Sequence, residues 1–161
     1  MKKIILLSGL LFLVVFHVKA QAPSNPYFNH KGKLIIIGGG NMPDSLFEFF
    51  AAHCGGKDQP VVYIPTATSD EKYIQEGGHL VKFSSRGFTN LSTIHTRDKI
   101  KADAPENIAL MRKAKGIFFG GGDQDLIAAA YGNTQLYKEM LALLDRGGVI
   151  MGTSAGATIM G

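Results

Sequence analysis

At 161 residues, 45% hydrophobic and 19% charged, the chain has the composition of one folded domain, which excludes the disordered and fibrous classes. Much of its formal charge of +4 comes from Lys2, Lys3 and Lys19, in a stretch of twenty residues that contains no Asp or Glu. Setting those aside leaves 14 basic against 13 acidic residues, and no basic patch interleaved with aromatics remains to bind nucleic acid.

The first predicted element is an export signal. "MKK", an apolar run from Ile4 to Val18 and "VKA" before Gln21 form the pattern of a secretory signal peptide over residues 1–20, with Val18 and Ala20 suited to the positions before a cleavage site. The run is shorter than the roughly 20 apolar residues that span a bilayer. No stable membrane span is therefore expected, and the mature chain is expected to be exported, periplasmic or extracellular. No cysteine stands near the cleavage point for lipid attachment. A polar lead-in, residues 21–32, precedes the folded domain predicted for residues 33–161.

From Lys33 onward, apolar runs alternate with helical patterns. "KLIIIGG" from Lys33, "PVVYIPTA" from Pro60, "NLSTIHT" from Asn90, "GIFFGGG" from Gly116 and "GVIMGTS" from Gly148 read as strands: short, β-branched or aromatic, and bounded by Gly, Pro or Thr. Helices are predicted from Pro43 to His53, from about Asp70 to Phe83, from Pro105 to Ala114, from Gln124 to Tyr131 and from Thr134 to Arg146. Pro43 with Asp44 suits a helix beginning, and Gly55-Gly56 suits its end. In the last of these helices Leu136, Met140, Leu143 and Leu144 share one face, and Gly147 stops the run. This alternation predicts a parallel sheet covered by helices on both faces. Ligands of such sheets bind outside the carboxyl ends of the strands, which directs attention to "GGGN", "PTATSD", "GGGDQ" and "GTSAGA".

The glycine triplets invite a nucleotide reading, but Pro43 stands where the third glycine of G-x-G-x-x-G would fall, and Pro65-Thr66 stand where a ribose-binding acid would. Neither triplet leads into the Gly-Lys-Ser/Thr of a phosphate loop. Glycine permits a tight turn there, and the exposed backbone N–H groups of such a turn can face an anion or a substrate oxygen. Metal ligation has no support, since His30, His53, His79 and His95 are scattered without ligand spacing. Cys54, the only cysteine, can form no intrachain disulfide and is expected to be buried on a helix rather than to act as a nucleophile.

Gly152-Thr153-Ser154-Ala155-Gly156 carries a stronger signal. In a nucleophile elbow a serine occupies a strained turn between strand and helix, with small residues two positions to either side. "GGVIMGT" supplies the buried strand and "AGATIMG" the helix start, of about two turns. Ser154 is the candidate nucleophile, and the amide of Ala155 is a candidate oxyanion donor.

Taken together, "GIFFGGGDQ", a helical spacer and "GGVIMGTSAGATIM" resemble the cyanophycinase and dipeptidase E family of serine peptidases, and "KLIIIGGG" and "VVYIPTATS" resemble that family's first two strands. The resemblance implies a flavodoxin-like three-layer α/β fold, related to class I glutamine amidotransferases, with serine in place of the elbow cysteine. It implies Ser154 as nucleophile, a second oxyanion amide at Gly122 with Gly121 beside it, and Gln124 as a substrate contact. The implied reaction is hydrolysis of a peptide or isopeptide bond at an aspartyl residue, of the β-aspartyl-arginine type found in cyanophycin, through an acyl-enzyme and without metal or cofactor. Family members carry the activating histidine and its acid downstream of the elbow, whereas seven residues follow Ser154 here. The expectation is that this chain is the amino-terminal part of a longer hydrolase, incomplete at the carboxyl end of the sheet domain and inactive alone. The rival readings are a non-catalytic peptide- or ligand-binding protein on the same fold and an amidase or acyltransferase; homo-oligomerisation is left open.

Overall fold

The computed structural model describes residues 30–161; the predicted signal peptide and all but the end of the polar lead-in lie outside the described residues. Five strands, β1 (Lys33–Ile37), β2 (Val61–Ile64), β3 (Leu91–Thr93), β4 (Gly116–Phe119) and β5 (Val149–Thr153), form one sheet in the order β1-β5-β4-β2-β3. Every pairing is parallel. All the predicted strands are present, and their apolar continuity has the expected cause: β2, β4 and β5 are buried along their whole length because helices cover both faces.

The direction of chain travel decides which face each helix covers. From β1 to β2 and on to β3 the chain moves across the sheet one way, through α1 (Asp44–Cys54), α2 (Glu71–Gln75) and α3 (Leu80–Ser84). From β3 to β4 and on to β5 it moves back, through α4 (Lys99–Ala102), α5 (Pro105–Lys113), α6 (Gln124–Tyr131) and α7 (Gln135–Asp145). Since crossovers between parallel strands keep one hand, a reversal of direction transfers the helices to the opposite face. Two cores result. Phe47, Phe50 and Phe83 pack with Tyr63, Phe118 and Met151 on one side; Met111, Tyr131, Leu136 and Leu143 pack with Ile64, Ile117 and Ile150 on the other.

Side-chain caps begin α2, α4, α6 and α7. Thr134 Oγ1 accepts from the Tyr137 amide at 3.1 Å to begin α7, and Asp70 and Asp98 cap α2 and α4 in the same way. Gly55, at φ 95°, ends α1 in the left-handed conformation. The four apolar residues predicted on one face of α7 are all buried, and Glu139 joins them, held by Arg112 at 2.9 Å.

Two expectations are corrected, and one short helix is added. The helix predicted from Asp70 to Phe83 is two short helices, because Gly77 and Gly78 take positive φ (91° and 50°) between them. The turn of helix α4 was not anticipated. The helix after the elbow, α8 (Ala155–Thr158), is a single turn rather than two.

Cys54 is buried on α1, as expected, and burial pushes its thiol up to about 12, which removes the thiolate that a nucleophile needs. At pH 8 an aromatic disulfide reagent should modify the folded protein at least about 100-fold more slowly than the protein unfolded in guanidinium. Equal rates would mean that α1 does not pack as described.

Candidate active site

Strand β5 delivers Ser154 to the carboxyl edge of the sheet, between β1 and β4. The chain leaves β1 toward one face and β4 toward the other, and a crevice at such a divergence is where open α/β sheets bind ligands. Ser154 has φ 54° and ψ −119°, one of two non-glycine residues with positive φ among those described. Its amide donates to the Ile37 carbonyl at 2.9 Å, and its carbonyl accepts from Ala157 and Thr158 at 2.8 and 3.0 Å. Both sides of the residue are thus fixed, which holds it in a conformation that costs roughly 1–3 kcal/mol. The serine side chain is exposed while its neighbours Thr153 and Ala155 are buried.

The glycines of the motif are required by contact. A Cβ on Gly152 would run into the Gly156 carbonyl, and one on Gly156 would reach the Phe119 and Gly120 carbonyls. The elbow therefore packs its backbone directly against the end of β4. Just beyond that end, a Cβ on Gly121 would lie 3.3 Å from Ser154 Cβ and 3.8 Å from its Oγ, so the second glycine triplet turns beside the serine. Gly122 has φ 139°. Among the described residues, the backbone amides of Gly121, Gly122 and Ala155 donate to no protein carbonyl. Gln124 opens α6 directly after the turn, half-buried. The structure thus brings Ser154, Ala155 and Gly121 together, with Gly122 and Gln124 following Gly121 in the chain.

Gly39 also belongs to this place: a Cβ there would come within 3.9 Å of Ser154 Cβ. It flanks the serine from the β1 side, opposite Gly121. The first glycine triplet was a marked strand end in the sequence, but its adjacency to Ser154 follows from the pairing of β1 with β5, which no local pattern encodes.

None of the described histidines engages Ser154. His30 pairs with Asp145 at 2.6 Å, and His53 Nδ1 contacts the Phe49 carbonyl oxygen at 2.7 Å. His95 lies 3.1 Å from Thr66 Oγ1 and 3.5 Å from Glu71. Thr66 follows β2, two strands from β5, or roughly 10 Å at the usual inter-strand spacing.

His79 packs edge-on against Tyr63 and Phe118, with Nδ1 2.8 Å from the Tyr73 hydroxyl and 3.3 Å from that of Tyr63. Burial, aided by the charge of Lys82, lowers its pKa from the usual 6.5 to about 4. The fold favours the neutral ring, so this contribution to stability is complete above pH 6.5 and is lost as pH falls toward about 4. The urea midpoint should drop across that window, and His79→Gln should flatten the drop. A variant with an unchanged pH profile would show that His79 is not the group responsible.

Among the described residues no group of three or more His, Cys, Asp or Glu side chains converges on a point that would hold a metal ion, and no helix is long and apolar enough to cross a membrane.

The model of peptidase family S51 matches residues 34–161. The chain belongs to peptidase family S51. Two cyanophycinases, from Synechococcus elongatus and Thermosynechococcus vestitus, are each 28% identical to the S51 chain over 142 residues, covering 86% of it and 44% of their own length. A solved peptidase from an acI-B1 actinobacterium superposes with a TM-score of 0.66 at 26% identity, over 79% of this chain and 55% of that one. A putative peptidase E protein from Listeria monocytogenes shares the fold, with a TM-score of 0.56 and 22% identity over 80% of this chain and 60% of that one. The S51 chain thus spans less than half the length of the curated relatives it matches.

Proposed function

We propose that this S51 chain carries the nucleophile and oxyanion hole of an exported serine peptidase that hydrolyses peptide or isopeptide bonds at aspartyl residues, of the β-aspartyl-arginine type. The observation that carries the reading is Ser154 held at φ 54° on the strand-to-helix turn, with Gly121 beside it and the amides of Ala155, Gly121 and the following Gly122 donating to no protein carbonyl. Membership of the family supports peptidase chemistry, and likeness to two cyanophycinases at 28% identity supports the substrate class.

In this reading Ser154 Oγ attacks the scissile carbonyl carbon as its proton passes to a general base. The carbonyl oxygen gains negative charge, which the amides of Ala155 and Gly122 stabilise. Collapse of the tetrahedral species expels the amine, which takes up that proton, and leaves an ester on Ser154; water then releases the acid and restores the hydroxyl. Gln124 contacts the substrate beside the glycine turn. The base is assigned to a histidine beyond residue 161, the chain spanning 44% of its curated relatives' length, because His30, His53, His79 and His95 are each committed elsewhere. Residues 30–161 alone would then be inactive. Residues 1–20 are proposed as the export signal on the pattern of "MKK", apolar run and "VKA".

The test uses the complete gene product with a β-aspartyl-arginine dipeptide, an α-aspartyl peptide and a fluorophosphonate probe. Labelling at Ser154 together with cleavage of an aspartyl peptide is the expected result. Cleavage of the α-linked peptide alone would keep the peptidase and overturn the isopeptide assignment. Binding of both peptides without labelling or turnover would favour the ligand-binding reading, which the lack of a described histidine at Ser154 makes the relevant rival.

A further inference from the structure

The glycine turn beside Ser154 does not hold its own shape. A Cβ on Gly122 would collide with the backbone of Ala67, and the Asp123 amide donates to the Ala67 carbonyl at 2.8 Å. The turn therefore rests on the segment that leaves β2, Pro65 to Thr68. That segment is in turn gripped from its other side. Arg97 Nη2 donates to the Thr68 carbonyl at 2.9 Å, and Nη1 pairs with Glu71 Oε1 at 2.8 Å. Two residues earlier, the fully buried Thr66 contacts the Tyr131 hydroxyl at 2.6 Å and His95 Nδ1 at 3.1 Å, and His95 Nε2 lies 3.5 Å from Glu71 Oε2. Glu71, at the start of α2, thus meets two of the residues that hold the β2 exit, Arg97 and His95.

We propose that Arg97, paired with Glu71, is a positioning residue for the oxyanion turn: by fixing the Thr68 carbonyl it keeps Pro65–Thr68 seated under Gly122 and so keeps the Gly121 and Gly122 amides aimed beside Ser154. The proposal rests on the serine-peptidase reading. Its geometric basis is an unbroken set of contacts from Arg97 through Thr68 and Ala67 to Gly122 and Gly121. The guanidinium fork matters because it reaches a carboxylate and a carbonyl at once, which an ammonium does not do with the same fixed geometry. Arg97 and Glu71 side chains are 42% and 51% exposed, and an ion pair as exposed as this contributes little to global stability. A marked effect on turnover without one on unfolding is thus the signature of positioning, since displacement of catalytic donors by about 1 Å can cost about 100-fold in rate.

The experiment compares the complete gene product with its Arg97→Gln, Arg97→Lys and Glu71→Gln variants, using an aspartyl peptide substrate and a peptide aldehyde that forms a tetrahedral adduct on the serine. Arg97→Gln should lower kcat about 10- to 100-fold with little change in KM. The aldehyde inhibition constant should rise by the factor by which kcat/KM falls, and the thermal midpoint should stay nearly constant. Arg97→Lys should recover only part of the loss, and Glu71→Gln should err in the same direction as Arg97→Gln. Unchanged kcat and aldehyde affinity in Arg97→Gln would overturn the proposal, as would a loss of activity matched by a loss of thermal stability. Wild-type hydrolysis that persists in Ser154→Ala would instead remove the serine-peptidase reading and the positioning role with it, so the two failures are told apart.

Discussion

Replacing Ser154 with alanine is expected to lower kcat of the complete gene product on an aspartyl peptide by at least about 10⁴-fold, with the fold intact. Loss of the nucleophile from a serine-type site leaves only binding and oxyanion stabilisation, which is why such knockouts are so deep. The stability effect depends on what replaces the serine. At φ 54° and ψ −119° the residue is held by the Ile37 carbonyl on one side and by the Ala157 and Thr158 amides on the other, so alanine keeps the strain. Ser154→Gly relieves it, and that variant should be inactive yet more stable by roughly 1 kcal/mol. Kinetics and thermal unfolding on the two variants check both halves. Hydrolysis retained in either variant would sink the assignment of Ser154 as nucleophile. A glycine variant no more stable than wild type would show that the elbow stores no strain.

What the sequence made legible and what it did not divide along physical lines. Buried parallel strands read as continuous apolar runs, which made β2, β4 and β5 visible; the more exposed β1 and β3 were visible from their β-branched residues, and α7 from its amphipathic stripe. The elbow was visible because glycine at 152 and 156 is a steric requirement written in the sequence itself. The Gly77-Gly78 break was also written there, yet the apolar spacing on either side suggested one helix; Gly78 takes φ 50° and a Cβ there would come 2.9 Å from the Tyr63 hydroxyl, a constraint set by β2. The approach of Gly39 to Ser154 depends on β5 inserting between β1 and β4. The surroundings of His79 and His95 likewise depend on Tyr63, Tyr73, Thr66 and Glu71 arriving from separate elements. Local pattern carries element type and turn chemistry, whereas strand order decides which strand ends share a site.

The largest stability effect is expected from Gly156→Ala. Gly156 is buried on the single turn of α8, and its missing side chain is what lets that turn lie directly on β4: a Cβ would meet Phe119 Cβ at 2.7 Å and the Gly120 carbonyl oxygen at 2.8 Å, besides the Phe119 carbonyl. These obstacles are largely backbone in the centre of the sheet and cannot rotate away. Relief requires α8 to lift off β4, which would also draw Gly156 away from Gly152 and open the elbow. The cost is expected to be about 3 kcal/mol or more, or a fall of roughly 10 °C in the thermal midpoint, accompanied by loss of fluorophosphonate labelling at Ser154. Gly38→Ala is the matched control. Gly38 lies at the end of β1 near the same site, but a Cβ there meets nothing within 4 Å and its φ is not among the positive ones, so the change should stay within about 0.5 kcal/mol. A Gly156→Ala protein as stable as the control would mean that α8 does not sit against β4, and the oxyanion geometry built on that contact would have to be abandoned.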